Sequence, residues 1–386
     1  MPWKETCAMD QKVQMIGDWL KDEFSITELS ELYEVSRPTI YKWIARYEER
    51  SIDGLVELSR EPLRHTNATP SSIAEKIIEM KSMHQRFGPK KIIARLQALH
   101  PELHWPAVST ASDILKKQGL VQPRKKRRKT PPYTEPFLDC NKPNVVWSAD
   151  FKGQFYTGDG KLCHPLTISD NYSRYLLQCR GLRRPTHEQT QPWFEWTFRE
   201  YGLPDAIRTD NGAPFASVSL GGLSRLSIWF IKLGILPERI VPGHPEQNPR
   251  HERMHRTLKE ATALPPKSNI YQQQQAFENF KYEFNYERPH EALDQKPPSS
   301  VYHPSDRPYH LRVPQVDYND DVIVKKIRHG GEMYWKRGFI YVSQALAGEP
   351  IALKQIDDYL WDMHFSFFPL GIFDELTGKV SPLKIY

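Results

Sequence analysis

Two short apolar runs in this chain end on carboxylates, and that junction constrains the fold more than any other feature. Val145-Val-Trp147 leads to Asp150, and Ala206-Ile207 leads to Asp210. Each run reads as a buried strand. A carboxylate at the end of a buried strand is costly unless a cation or metal meets it. Around these runs, Leu162–Ile168 and Tyr175–Cys179 read as further strands, and 187–201 and Leu223–Leu233 as helices. Three strands, followed by helix and strand in alternation, predict a mixed sheet covered by helices.

A third acid stands in Asn248-Pro-Arg-His-Glu-Arg-Met-His-Arg-Thr-Leu-Lys259. Asn248 suits an N-cap and Pro249 the first helical position, which puts Glu252 in the first turn. His255, Arg256 and Lys259 follow at i+3, i+4 and i+7 and are predicted to share its face, toward DNA phosphate. Two carboxylates at strand ends and one on a helix suit a pair of divalent cations about 3.5–4 Å apart. Such a pair clamps the attacking and leaving oxygens of a phosphoryl displacement. Mg²⁺ prefers such oxygen ligands, and Mn²⁺ is expected to substitute for it. Asp210-Asn-Gly212 taken alone reads as a tight turn. Within the pattern, Asn211 orients Asp210 or touches substrate, and Gly212 lets backbone pass close to metal or DNA. Rival acids have other readings: Asp170 caps a strand turn, and Asp159, between two glycines, marks a hairpin. Glu246 competes with Glu252 but precedes the helix, where nothing fixes its direction.

Ahead of the sheet the periodicity is helical. Residues 10–58 read as three short helices in a helix-turn-helix, Ser36 capping the third. That helix would enter the major groove with Arg37, Thr39 and Lys42 near its exposed start. Residues 70–121 repeat the plan, with Ser109, Thr110, Lys116 and Lys117 as DNA contacts and Lys90 and Lys91 on phosphate. A Pro-rich linker follows. Its run Arg124, Lys125, Lys126, Arg127, Arg128 and Lys129 equals the whole formal excess of +6, so the rest of the chain is balanced. Such a run stays extended and attracts a polyanion, or serves only as a solvated spacer. Residues 315–370 turn β-rich between glycines and predict a small β-barrel. Cys7, Cys140, Cys163 and Cys179 form no Cys-x-x-Cys pair, which argues against a zinc site or a disulfide framework. No apolar run approaches a membrane span, and no secretory signal is evident. A cytoplasmic, reducing setting is expected.

The acids and their surroundings resemble the integrase-core transposases of bacterial insertion sequences, relatives of retroviral integrases. Asp150, Ile168-Ser-Asp-Asn-Tyr-Ser-Arg174, Tyr201-Gly-Leu-Pro204, Thr209-Asp-Asn-Gly212, the Glu252 helix and Asn285-Tyr-Glu-Arg-Pro-His290 match in series. Together they cover roughly residues 143–300. Relatives usually carry Gly where Pro249 stands, and the His/Cys zinc domain that opens retroviral integrases is missing. The resemblance implies a multidomain chain. Helix-turn-helix units occupy 1–65 and 66–121, the linker 122–142, an α/β ribonuclease-H-like catalytic core 143–305, and a C-terminal barrel 306–386. It implies Asp150, Asp210 and Glu252 as catalytic metal ligands, with two Mg²⁺ per site when DNA is bound. It implies a transposase that binds terminal inverted repeats, hydrolyses a phosphodiester and transfers the 3′-OH into target DNA. Double-stranded DNA is then the partner, a homo-oligomer of at least two copies the working form, and the bacterial nucleoid the setting. Arg288 and His290 would touch phosphate or tie the last helix to the sheet. The alternatives are a DNA-binding protein with an inert core, and a nuclease that does not join.

Overall fold

The structure, a computed structural model, describes residues 7–57, 69–121, 139–151, 153–217, 220–240, 249–336 and 338–382. The basic run 124–129, Asn248 and Glu246 lie outside these residues. The chain divides into two compact units, Met1–Thr69 and Pro70–Tyr386.

In the first unit, α1 (Ala8–Leu20), α2 (Ile26–Leu32) and α3 (Arg37–Arg50) enclose Met15, Ile16, Leu29, Ile40, Trp43, Ile44 and Leu55. A capping box starts α2: the Glu28 amide donates to the Ser25 hydroxyl, and the Ser25 amide to the Glu28 carboxylate. Arg37 and Lys42 stand exposed on α3, while the Thr39 hydroxyl meets that of Ser36 at 2.8 Å.

The second unit opens with α4 (Ser71–Met83), α5 (Pro89–Leu99) and α6 (Val108–Lys117), packed around Ile77, Phe87, Ile92, Leu96 and Leu115. The sheet that follows has six strands. They are β1 (Val146–Phe151), β2 (Phe155–Tyr156), β3 (Leu162–Asp170), β4 (Leu176–Leu182), β5 (Ala206–Thr209) and β6 (Leu236–Arg239). Their order is β2-β3-β1-β5-β6 with β4 also on β3. β1, β3 and β4 pair antiparallel, and β1, β5 and β6 parallel. This is the mixed sheet expected from the sequence.

Alternation along the strands sorts the two faces. Trp147, Ala149, Leu166 and Ile168 pack on Phe194 and Phe198 of α7 (His187–Tyr201) and Leu226 and Phe230 of α8 (Arg225–Lys232). The residues between them point the other way. There Leu176 and Cys179 meet Met254 and Leu258 of α9 (Pro249–Thr262) and Phe277 and Phe280 of α10 (Ile270–Tyr282). Ser148, Asp150, Thr167 and Ser169 are on this second face, a polar stripe on a buried sheet.

The C-terminal region is β-rich as expected, and among the described residues its sheets do not close. Strands β7 (Ile323–Lys326), β8 (Glu332–Trp335), β9 (Gly338–Tyr341), β10 (Pro350–Asp357), β11 (Leu360–Phe365), β12 (Phe368–Asp374) and β13 (Lys379–Pro382) form no closed barrel. Five of them make an antiparallel sheet in the order β13-β12-β11-β10-β7, and β8 pairs only with β9. Each successive pairing is a local hairpin except β7 with β10, and among the described residues nothing joins the two edges. The sheet is roofed on one side, where Phe365, Phe368 and Leu370 share a core with Ile228 and Ile231 of α8.

Arg307 fastens the connecting segment to the core, donating to the carbonyls of Pro204, Leu233 and Gly234 and to the Asp205 carboxylate. Gly202 makes that approach feasible. Its φ is +78°, and a Cβ there would stand 2.8 Å from the carbonyl oxygens of Ser305 and Arg307. Gly202→Ala should therefore lose about 1–3 kcal/mol from backbone strain alone, with steric displacement of the 305–307 strap in addition. Urea unfolding of the full chain checks this.

Candidate active site

The parallel register of β1 and β5 places Asp150 beside Asp210. Trp147 pairs with Ile207 and Ser148 with Arg208. Two residues further along each strand are Asp150 and Asp210. Neighbouring strands run about 4.8 Å apart, so both carboxylates leave the sheet at the carboxyl ends of adjacent strands. Asp210 Oδ1 accepts from the Gly212 amide at 3.0 Å, and Asn211 Nδ2 donates to the Ile240 carbonyl at 2.6 Å, tying the turn to the end of β6. A Cβ at residue 212 would stand 3.1 Å from Asp210 Oδ2, so glycine leaves the carboxylate open.

Asp150 is held from below. Thr167 is its direct partner on β3. The Thr167 hydroxyl donates to the Asp150 carbonyl at 3.2 Å and meets His251 Nε2 at 2.8 Å and His255 Nε2 at 2.5 Å. A threonine hydroxyl has one hydrogen and two lone pairs. With the hydrogen on the carbonyl, both imidazoles donate to Thr167 through Nε2. His251 then turns an accepting Nδ1 to the Ser169 hydroxyl at 3.0 Å. His255 turns its Nδ1 toward Asp150 Oδ2 at 3.5 Å. A bare nitrogen lone pair opposite a carboxylate oxygen calls for positive charge between them, either a proton on Nδ1 or a metal ion.

Among the described residues, Asp150, His251 and His255 form the group of three whose donor atoms lie within 4.8 Å of one another. A carboxylate with imidazoles suits Mn²⁺ or Zn²⁺ better than Mg²⁺. All four ring nitrogens already face Thr167, Ser169 or Asp150, however, so the histidines act as a hydrogen-bonded floor under the carboxylate. Sequence reasoning missed His251, Thr167 and Ser169. The signal was present in the spacing of His251, Met254, His255 and Leu258, which is one inward helix face.

That phase corrects the reading of His255. It is 1% exposed and faces the sheet, so it does not share an outer stripe with Arg256 and Lys259. Glu252, Arg256 and Lys259 are exposed, and Glu252 stands in the first turn of α9. Glu252 and Asp210 lie outside the 4.8 Å group. An Asp, Asp, Glu oxygen set with this opening fits Mg²⁺ by donor chemistry.

The rival acids have structural partners. Asp170 accepts from the Asn144 and Ser173 amides and the Ser173 hydroxyl, while burial pushes its carboxyl above the usual carboxylate range. Asp159 accepts from the Thr157 hydroxyl, which holds it low. Asn285 bonds both the amide and the carbonyl of Leu176, so this part of its motif anchors α10 to β4. Of the remaining expected DNA contacts, Ser109, Lys116 and Lys117 are exposed on α6 and Thr110 is half-buried. Lys90 pairs with Glu291 of the core at 2.7 Å, while Lys91 and Arg288 are half-buried where α5 meets the core.

Comparison with known proteins agrees with this architecture. The integrase core domain matches residues 141–245 and 233–298, and a helix-turn-helix domain matches 11–62. The chain is 24% identical over 258 residues to an uncharacterized 39.2 kDa protein of insertion element IS476 from Xanthomonas euvesicatoria, covering 65% of this chain and 71% of that protein. It is 24% identical over 257 residues to a 31.7 kDa protein of insertion element IS407 from Burkholderia multivorans, covering 65% and 89%. A chain of the simian T-cell lymphotropic virus intasome aligns with a TM-score of 0.38 at 16% identity, over 74% of this chain and 91% of that one. The chain thus carries a helix-turn-helix domain and an integrase core, and resembles insertion-element proteins.

Thr167→Val keeps the side-chain shape and removes the hydroxyl. It should orphan the Nε2 donors of both histidines, each at about 1–3 kcal/mol, and lower the melting temperature. Thr167→Ser should restore most of that loss.

Proposed function

We propose that this chain is a DNA transposase that cleaves at the ends of an insertion element and joins the freed 3′-OH to target DNA. The observation that carries the reading is the pair Asp150 and Asp210 at adjacent strand ends, within an integrase core that follows a helix-turn-helix domain. The helix-turn-helix units, with boundaries near 65 and 121, bind the terminal inverted repeats through α3 and α6. The basic linker tracks the backbone between them and the core, which spans 143–305. Synapsis of two ends requires at least two copies. No helix among the described residues is long and apolar enough to cross a membrane, and the nucleoid is the proposed setting.

Asp150, Asp210 and Glu252 would hold Mg²⁺ or Mn²⁺, two ions when DNA is bound. Divalent cations bound there would supply charge stabilisation to the attacking and leaving oxygens. The chain's own residues do the rest. Thr167 holds the Asp150 backbone through its carbonyl, and His255 Nδ1 faces the Asp150 carboxylate, so the residue is fixed against the sheet. Gly212 keeps the Asp210 carboxylate uncovered. Glu252 faces outward from a helix, whose backbone hydrogen bonds fix its direction better than a loop would. Arg256 and Lys259 share its exposed side and neutralise phosphate next to the reacting bond. Hydrolysis and joining use one site in succession, with no covalent enzyme intermediate.

Labelled duplexes bearing the element's ends test the reading. In Mg²⁺ the protein should nick and then join them, and Asp150→Asn or Asp210→Asn should abolish both steps with end binding intact. Glu252→Gln should do the same, whereas Glu246→Gln should retain most activity. Cleavage without joining would identify a nuclease, and binding alone an inert core.

The basic run carries a separate expectation. Replacing Arg124–Lys129 with Ala should weaken binding to every sequence and flatten the slope of log K against log salt by up to about 5. Filter binding from low to moderate salt reads this directly.

A further inference from the structure

Where α5 meets the core, basic side chains crowd together without an anion. Phe87, fully buried in the turn between α4 and α5, is the centre of the cluster. Lys91 Nζ lies 5.9 Å from its ring centroid and Arg288 Cζ 5.8 Å, while His84 stacks on the ring at 4.5 Å. Neither the Lys91 ammonium nor the Arg288 guanidinium has a hydrogen-bond or ion-pair partner among the described residues. His290, two residues beyond Arg288, keeps its Nε2 shut away from solvent, also without a partner.

The nearby acids are committed elsewhere. Glu283 and Glu287 flank His84 at 3.8 Å, Glu287 also reaches Arg95 at 4.0 Å, and Glu291 holds Lys90 at 2.7 Å. The cations are therefore left to oppose one another. Burial, then Arg288, push Lys91 down to about 7, against a partial pull upward from Glu283 and Glu291. Burial, then Lys91 and Arg288, push His290 down to about 3. Burial lowers Arg288 as well. Half-buried, uncompensated charge costs stability. A fold that keeps two such cations, only partly offset by Glu283, beside a neutral imidazole at one seam favours added negative charge there.

We infer that Lys91 and Arg288, with the buried His290 packed behind them, form a backbone-phosphate site at the seam between the α4–α6 bundle and the integrase core, which grips DNA beside the active site. Arg253, next to Glu252 on α9, is close enough to act on Lys91 electrostatically. Arg86 of the same bundle donates to the Glu260 carbonyl of α9. The seam therefore borders the helix that bears Glu252, and a strand crossing Glu252 would run toward it. A phosphodiester supplies one delocalised negative charge and two accepting oxygens, which matches a guanidinium and an ammonium over one ring. The site contacts phosphate and carries no sequence preference. This inference rests on the DNA-processing reading of the core, yet it is measured by binding and melting alone.

The test uses the full-length protein, Lys91→Gln and Arg288→Gln, with a duplex of unrelated sequence and with inorganic phosphate as probes. Each variant should lower affinity for the duplex by about 3–10-fold and reduce the salt slope by about 1. Without DNA, each should melt at or above the parent temperature, because an uncompensated charge has been removed. Millimolar phosphate should raise the melting temperature of the parent more than that of either variant. A lower melting temperature with unchanged affinity and slope would make the residues simple seam packing and overturn the inference. An unchanged slope in both variants would overturn it too. Loss of cleavage with these binding results intact would count against the transposase reading and leave the phosphate site standing.

Discussion

One hydroxyl organises the polar face of the integrase-core sheet. Thr167 Oγ1 touches a strand carbonyl and two helix imidazoles, so it joins β1, β3 and α9 at a single atom. The arrangement follows from the period-2 geometry of strands. Leu166 and Ile168 must face the apolar core, which turns Thr167 and Ser169 to the opposite side. Polar groups on that buried side need partners, and α9 supplies them with histidines one turn apart. The rotation of α9 about its own axis is thereby determined. With His251 and His255 inward, Glu252, about 100° further round the helix, stands on its exposed flank. The position of Glu252 is a consequence of satisfying a buried threonine.

Much of the core was legible in the sequence because its signals are local. The helix at 187–201 coincides with α7 to the residue, and Gly202, at a φ of +78°, ends it. The strand runs toward Asp150 and Asp210 carry enough apolar content to be read without context. The phase of α9 was misjudged for a physical reason. Histidine counts equally well as a cation or as a buried hydrogen-bonding group, and only its partners on β3 decide. Met254 and Leu258, apolar at i+3 and i+7 from His251, were the better guide to the inward face.

Longer-range features were beyond local patterning. Whether β7 to β13 close into a barrel depends on pairing between the first and last strands, and no turn signal encodes that. Lys90 and Lys91 read as phosphate contacts because they stand exposed at a helix start in any isolated bundle. Packing against the segment 283–291 gives Lys90 an acidic partner and leaves Lys91 half-buried. The α4–α6 bundle and the core thus share a charged seam, and that seam is set by residues nearly 200 positions apart in sequence.

The open C-terminal sheet has one further consequence. A closed barrel has no edges, whereas an open sheet presents unpaired amides and carbonyls along both outer strands. Here β7 exposes Ile323 and Val324 and would offer a template for stacking against another copy. The same strand ends in Lys325 and Lys326, and the opposite edge β13 begins with Lys379 and ends at Pro382. Lysines repel a second like-charged edge, and proline cannot donate to a ladder. The guard on both edges is therefore a handful of residues, Lys325, Lys326, Lys379 and Pro382, each of which disfavours pairing with another strand.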